Sequence, residues 1–234
     1  AACLMKVKAW EQGVSADIAL VAADGRAYSR RHPLPTGNMI GRYAMLVMSG
    51  RKHGLYASVT RLVYFGKVPE DFAAFVATQA QPLNTLIPGC GSAWEARHLA
   101  EAAWPVTALD FSPVAIETAR GILGDCPVDL VCADFFQWQP ARPLDLIYER
   151  AFLCALPRKL WDDWGRRIAD LLPGGGLLAG YFFVCDQLKG PPFGILPEQL
   201  DALLTPNFER IADKPVDDSI PVFSGRERWQ VWRR

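Results

Sequence analysis

The sequence predicts an α/β protein built on a doubly wound, mostly parallel sheet, closed at one edge by an antiparallel strand pair. Three observations predict it. The apolar run Leu86-Ile87-Pro88 breaks into Gly89-Cys90-Gly91, two glycines one residue apart, with a helix-like stretch directly behind them. Past residue 84, short apolar runs alternate with amphipathic stretches, as a sheet covered on both faces by helices requires. The tail differs in kind and holds two strand-like segments joined by a long loop containing proline.

In chain order, residues 1 to about 66 hold neither the helical nor the strand period over a useful length. Arg30-Arg31-His32-Pro33-Leu34-Pro35-Thr36-Gly37 is loop chemistry, and weakly ordered structure is expected there. Strands are expected near 84–88, 105–110, 128–132, 144–149 and 176–185, and helices near 92–103, 112–123, 159–172 and 197–204. Ser112-Pro113 supplies an N-cap and a proline at the first helical position. Leu160, Trp164, Ile168, Leu171 and Leu172 share one helical face, and Pro173-Gly174-Gly175-Gly176 stops that helix. Phe208 to Ala212 and Glu227 to Arg233 read as the closing antiparallel pair.

The bulk properties exclude several classes. Lys and Arg number 25 and so do Asp and Glu, so no basic excess points to nucleic acid. No apolar stretch is long enough to cross a bilayer, and no charged-then-apolar leader is read at the start. The cysteines at 3, 90, 126, 132, 154 and 185 lack CxxC pairing and histidine partners at metal spacing, so reduced thiols in the cytoplasm are expected, with no metal. His32, His53 and His98 are scattered, without a visible hydrolytic partner.

In an open α/β sheet, ligands bind at the carboxyl ends of the strands. The residues expected there are Pro88 to Gly91, Asp110-Phe111, Ala133-Asp134-Phe135 and Glu149-Arg150. Glycine admits close backbone approach because it lacks Cβ. Asp110, about twenty residues past the glycines, is placed to accept two ribose hydroxyls, with Phe111 against a purine face. Asp134 can accept from an exocyclic amine, or merely cap a turn; Phe135 is an apolar wall or simple core. Ser92-Ala93 after the turn is not dinucleotide spacing, and no Lys-Ser or Lys-Thr is present for a triphosphate. An adenosine pocket without a phosphate cradle favours S-adenosylmethionine over NAD or ATP.

From Gly66 to Arg234 the chain resembles the thiopurine S-methyltransferase family, within the seven-stranded, Rossmann-like class of S-adenosylmethionine-dependent methyltransferases. The carrying blocks are Leu86 to Gly91, Leu109 to Pro113, Ala133 to Phe136, Asp145 to Leu156, Leu172 to Gly176 and Gly190 to Phe193. The resemblance implies a three-layer sandwich and a cofactor site at Gly89, Asp110, Asp134 and Phe135, with Cys90, Gly91 and Phe111 alongside. It also implies that Arg150 lies near both cofactor and acceptor, as the catalytic residue. An ion pair between Glu149 and Arg150 is the plainer alternative. The expected reaction is methyl transfer to a small thiol or similar soft nucleophile. A halide, metalloid, oxygen or nitrogen acceptor, or a binding protein without turnover, is the alternative. A monomer with a small-molecule partner is expected, without nucleic acid or membrane. The departure is at the front: relatives carry several tryptophans there, including a Pro-Trp-Asp where this chain reads Arg61-Leu62-Val63-Tyr64-Phe65. Residues 67–234 are therefore read as the methyltransferase domain. Residues 1–66 are read as an extension, either a rebuilt lid or a stretch foreign to the family.

Overall fold

In the computed structural model, residues 1–29, 33–34, 36–40, 43–64, 68–219 and 223–234 are described. Arg30 to His32 and Pro35 of the expected loop lie outside them, as do Phe65 and Gly66, where the resemblance begins. The chain divides into two units, 1–67 with 219–222, and 68–218 with 223–234.

The first unit corrects the expectation of weak order. It holds α1 (Ala2–Glu11), β1 (Ser15–Ala23), a short α2 (Arg26–Ser29), β2 (Tyr43–Lys52) and β3 (Leu55–Tyr64), and the three strands pair antiparallel in the order β1-β2-β3. His53 and Gly54, both at positive φ (51° and 80°), form a two-residue hairpin turn whose twist suits the strands that flank it. Small polar residues hide the period: Ser49 and Ser58 face each other across β2 and β3, their hydroxyls 2.7 Å apart.

The second unit contains α3 (Glu70–Thr78), β4 (Thr85–Pro88), α4 (Trp94–Glu101), β5 (Val106–Asp110), α5 (Pro113–Leu123) and β6 (Val128–Cys132). It continues with β7 (Leu146–Arg150), α6 (Trp161–Leu171), β8 (Leu177–Phe183), α7 (Pro197–Leu204), β9 (Glu209–Pro215) and β10 (Glu227–Arg233). Its seven strands run in the order β6-β5-β4-β7-β8-β10-β9, with β10 alone antiparallel to its neighbours. The expected strands and helices of residues 84–204 are all present. Helix α4 starts two residues late because Ala93 stands at φ 58°, outside the helical region. Helix α3 was not anticipated, although Pro69-Glu70-Asp71 is a regular helix start.

Chain order reverses at β4: β5 and β6 lie on one side of it, β7 and β8 on the other. That reversal opens the crevice in which α/β sheets hold ligands. Strand β4 is buried on both faces, which accounts for its unbroken apolar run. One core packs Trp161, Trp164, Ile168, Leu200 and Leu204 of α6 and α7 against Ile147, Phe182 and Trp232. The other packs Phe72, Leu99 and Ala119 of α3 to α5 against Tyr148, Tyr181 and Trp229. The result is three layers, α/β/α.

One contact between β7 and β8 couples packing to ionisation. Glu149 is paired with Gly180 and is only 1% exposed. A Cβ on Gly180 would lie 2.1 Å from the Glu149 carbonyl oxygen and 2.7 Å from its Cβ, so glycine is what lets the two strands close. The Glu149 carboxylate accepts from the amides of Phe152 (2.9 Å) and Leu153 (3.1 Å). Burial among Leu153, Phe182, Phe193 and Ile195 still dominates those hydrogen bonds, and its pKa is pushed up to about 7 from 4.5.

Two outcomes follow. Gly180→Ala is expected to destabilise the protein by about 1–3 kcal/mol in urea unfolding, because backbone rather than a flexible side-chain tip must move. Between about pH 4.5 and 7 the native state holds a proton on Glu149 that the unfolded chain has released, so stability falls as pH rises through that window. Glu149→Gln removes the titration, and the variant should lose that fall when Tm is compared from pH 5 to pH 8. An unchanged decline would show that another group causes it.

Candidate active site

The turn after β4 is a run of unusual backbone. Gly89 (φ 62°), Gly91 (φ 51°) and Ala93 (φ 58°) all occupy the left-handed region within five residues. Two amides fix its course: that of Cys90 donates to the Leu109 carbonyl at 3.0 Å, and that of Ala93 to the Cys90 carbonyl at 2.8 Å. Gly89 is needed twice over, since a Cβ there would lie 2.5 Å from the Phe152 ring as well as requiring positive φ. Space beside Gly91 is open, with nothing within 4 Å of an added Cβ.

Asp110 closes the neighbouring strand and is 8% exposed. Its Oδ2 accepts from the Gly91 amide at 3.1 Å and its Oδ1 from the Ser112 amide at 2.9 Å. Each oxygen keeps a second lone pair for a ligand hydroxyl. Phe111, 79% exposed, stands open beside it, and Val114 and Trp94 are also exposed large apolar side chains. Such apolar surface at the mouth of a crevice is the kind that a ligand covers.

After β6 the two predicted residues part company. Asp134 is exposed and caps its own turn: Oδ1 accepts from the Phe136 amide (2.9 Å) and Oδ2 from Gln137 Nε2 (3.3 Å). Phe135 is buried in the core, its ring edge-on to Phe136 and Phe152. Phe111 and Phe135 therefore do not stand as a facing pair of open rings.

Arg150 closes β7 on the other side of the glycine turn. Side chains alternate along a strand, so Arg150 leaves the sheet on the face opposite Glu149, and the two form no ion pair. Its partner is Glu95 in the first turn of α4, at 3.8 Å, and its guanidinium carbon lies 4.4 Å from the Tyr181 ring centroid. Burial alone would lower its pKa, yet Tyr148, Glu227 and Glu95 hold it above the ordinary arginine value, so it keeps its charge. Its buried Nη1 and the buried Tyr148 hydroxyl both lack a partner in hydrogen-bonding geometry among the described residues. Glu95, Trp94, Phe152 and Tyr181 escaped the sequence reading. For Glu95 a signal existed, an acid in the first turn behind the glycines; for Tyr181 none did.

Both nearby thiols are inert. Burial, then the charge of Asp110, pushes Cys90 up to about 12, and burial, then Glu149, does the same to Cys154. Among the described residues no three His, Cys, Asp or Glu side chains are grouped to hold a metal, and no helix is long and apolar enough to cross a membrane.

The strand order β6-β5-β4-β7 sets Asp134 and Arg150 on opposite flanks of the turn, roughly three strand spacings or ~14 Å apart. Comparison with known proteins identifies the family. Probable thiol methyltransferase 2 of Arabidopsis thaliana is 29% identical over 176 residues, spanning 72% of this chain and 78% of that protein. Thiocyanate methyltransferase 1 of the same plant is 28% identical over the same length and shares. A TehB-like S-adenosylmethionine-dependent methyltransferase from Corynebacterium glutamicum shares the fold, with a TM-score of 0.58 and 17% identity over 73% of this chain and 90% of that one. The family model for thiopurine S-methyltransferase (TPMT) matches residues 63–234, and the chain belongs to that family of S-adenosylmethionine-dependent methyltransferases.

Proposed function

We propose that this enzyme methylates a small thiol or a thiol-like soft anion, and that Arg150 selects it. The observation that carries the reading is the guanidinium of Arg150, charged and largely withdrawn from water at the end of β7, with 21% of its side-chain surface still open. A cation with little water around it makes strong charge-assisted hydrogen bonds to an anion that reaches its open side. The names of the Arabidopsis relatives support the same acceptor class, since a thiol ionises to a soft anion and thiocyanate is one.

The residues present fit S-adenosylmethionine. Gly89, Cys90 and Gly91 offer turn backbone, Asp110 has lone pairs for two ribose hydroxyls, and Phe111 offers an open apolar face. Asp134 bounds the nucleoside end, with Phe135 in the core behind it, and Arg150 marks the other end. When bound, the cofactor supplies a methyl group on a positively charged sulfur. The chain's part is to align the acceptor in line with that methyl and to exclude water, which is worth roughly 7–11 kcal/mol in favourable systems. A thiolate is already the nucleophile and needs no base at the moment of attack. Cys90 and Cys154, held protonated by burial, do not compete with it. We place the methyltransferase domain at residues 67–234, with 1–66 as an N-terminal extension. All the residues assigned belong to one chain, so a monomer suffices, and the six free cysteines suit the reducing cytoplasm.

Asp110→Ala is expected to weaken S-adenosylhomocysteine binding by about 1.5–3 kcal/mol in calorimetry, the scale of hydrogen bonds to a charged group. A folded variant with unchanged affinity would remove Asp110 from the pocket. Arg150→Gln should cut radiolabelled methyl transfer to hydrosulfide far more than to a neutral acceptor, while cofactor affinity changes little. Equal losses for both acceptors would leave Arg150 only a structural part.

A further inference from the structure

Three elements converge on the Arg150 guanidinium. Tyr181 is the register partner of Arg150 across β7 and β8, so the two side chains leave the sheet side by side, and the ring lies against the guanidinium at 4.4 Å. Glu95 reaches the same guanidinium from α4, the helix that begins at the glycine turn, with Oε1 3.8 Å from Nε. The Tyr181 hydroxyl points elsewhere and accepts from the Phe72 amide at 3.1 Å. Phe72 is the third residue of α3, whose N-cap is Pro69, a residue with no side-chain acceptor. Tyr181 therefore caps the third amide of α3 from the sheet, beside Asp218, whose Oδ2 accepts from the Glu70 amide at 3.2 Å. Its ring is packed further by Trp229, centroid to centroid 4.8 Å.

We propose that Tyr181 is a positioning residue for methyl transfer: its ring seats the Arg150 guanidinium, its hydroxyl anchors that seat to α3, and Glu95 holds the guanidinium from the other side. The proposal rests on the reading of Arg150 as the acceptor's anchor. The reason for a seat is geometric. Arginine is long and loses much rotamer freedom when ordered, and planar stacking on an aromatic face is one of the few contacts that fixes the plane of its fork. Two carboxylates act on this cation, Glu95 and Glu227. Without the ring, Glu95 still holds Nε, but nothing fixes the plane of the fork against the pull of Glu227, and the open side of the guanidinium no longer faces the acceptor.

The ring and the hydroxyl can be separated by substitution. Tyr181→Leu removes both; Tyr181→Phe keeps the ring and loses only the cap. Steady-state methyl transfer to hydrosulfide, and to dimethyl sulfide as a soft acceptor that is neutral and has no S–H proton to lose, is measured beside S-adenosylhomocysteine affinity by calorimetry. Tyr181→Leu is expected to lower kcat/KM for hydrosulfide about tenfold or more, on the scale of a desolvated cation–π contact. The neutral thioether should lose less, and cofactor affinity should hold within about twofold. Tyr181→Phe should restore kcat/KM to within about threefold with a lowered Tm, since only the helix cap is gone.

The deciding measurement is the double variant. If Tyr181 acts through Arg150, adding Tyr181→Leu to Arg150→Gln costs nothing further. Additive losses, or a Tyr181→Leu variant as active as the parent, overturn the seat while leaving the Arg150 reading intact. Full activity of Arg150→Gln alone instead overturns the Arg150 reading. Should Tyr181→Leu not fold, Glu95→Gln in the same cycle tests the other half of the seat, and additivity there overturns the proposal equally.

Discussion

One carboxylate organises the carboxyl ends of the central strands of this protein. Asp110 accepts from Gly91 on one side and Ser112 on the other, and so binds the turn after β4 to the turn after β5. Those turns start α4 and α5, so a single side chain sets two helix origins and two strand ends. The left-handed backbone at Gly89, Gly91 and Ala93 is the sort of strain that persists only where its surroundings determine it. Here the surroundings are Asp110, the Leu109 carbonyl and the ring of Phe152. From α4 the order propagates: Glu95 touches Arg150, Arg150 lies on Tyr181, and Tyr181 holds the start of α3.

The two residues at the end of β7 divide the work by strand geometry. Glu149 and Arg150 are adjacent in sequence, yet the pleat sends them to opposite faces. Glu149 is committed to backbone amides within its own loop, where it shapes the path of Phe152 and Leu153. Arg150 is left on the face of α4, beside Glu95 and Tyr181, with its charge intact. Had the two paired, as adjacent opposite charges suggest on paper, neither task would be served. Phe152 then carries the effect of Glu149 back to the turn after β4, because its ring occupies the place where a side chain on residue 89 would stand.

Most of the sheet was legible because its strands are buried on both faces and so read as plain apolar runs, and because Ser112-Pro113 and Pro173-Gly174-Gly175 mark helix ends without ambiguity. The turn at Gly89 to Gly91 and the acid at 110 were legible because two glycines one residue apart break an apolar run, and the next short run ends on an aspartate. The front of the chain was not legible. Its strands mix serine, alanine and arginine with apolar residues, and the only clear cue was the His53-Gly54 pair between two long runs. Phe135 was legible only as apolar, since nothing in the sequence tells a wall of a crevice from a member of the core, where its ring lies. The seat of Arg150 was beyond reach, because Glu95, Arg150 and Tyr181 come from three elements and meet only after the sheet is assembled.

The pairing of Glu149 with Gly180 restricts how this sequence can drift. A side chain cannot be added at 180 while Glu149 and its strand keep their place, since the collision is with backbone. Glu149 cannot be shortened first without stranding the amides of Phe152 and Leu153 and opening a hole in the core. The two positions are held for different reasons: 149 by the amides its carboxyl group satisfies, 180 by a carbonyl oxygen that any residue at 149 would supply. Two positions thirty-one residues apart thus meet across one strand pair, yet replacing Glu149 would not release Gly180, and only a shift of the strand itself makes room for a side chain there.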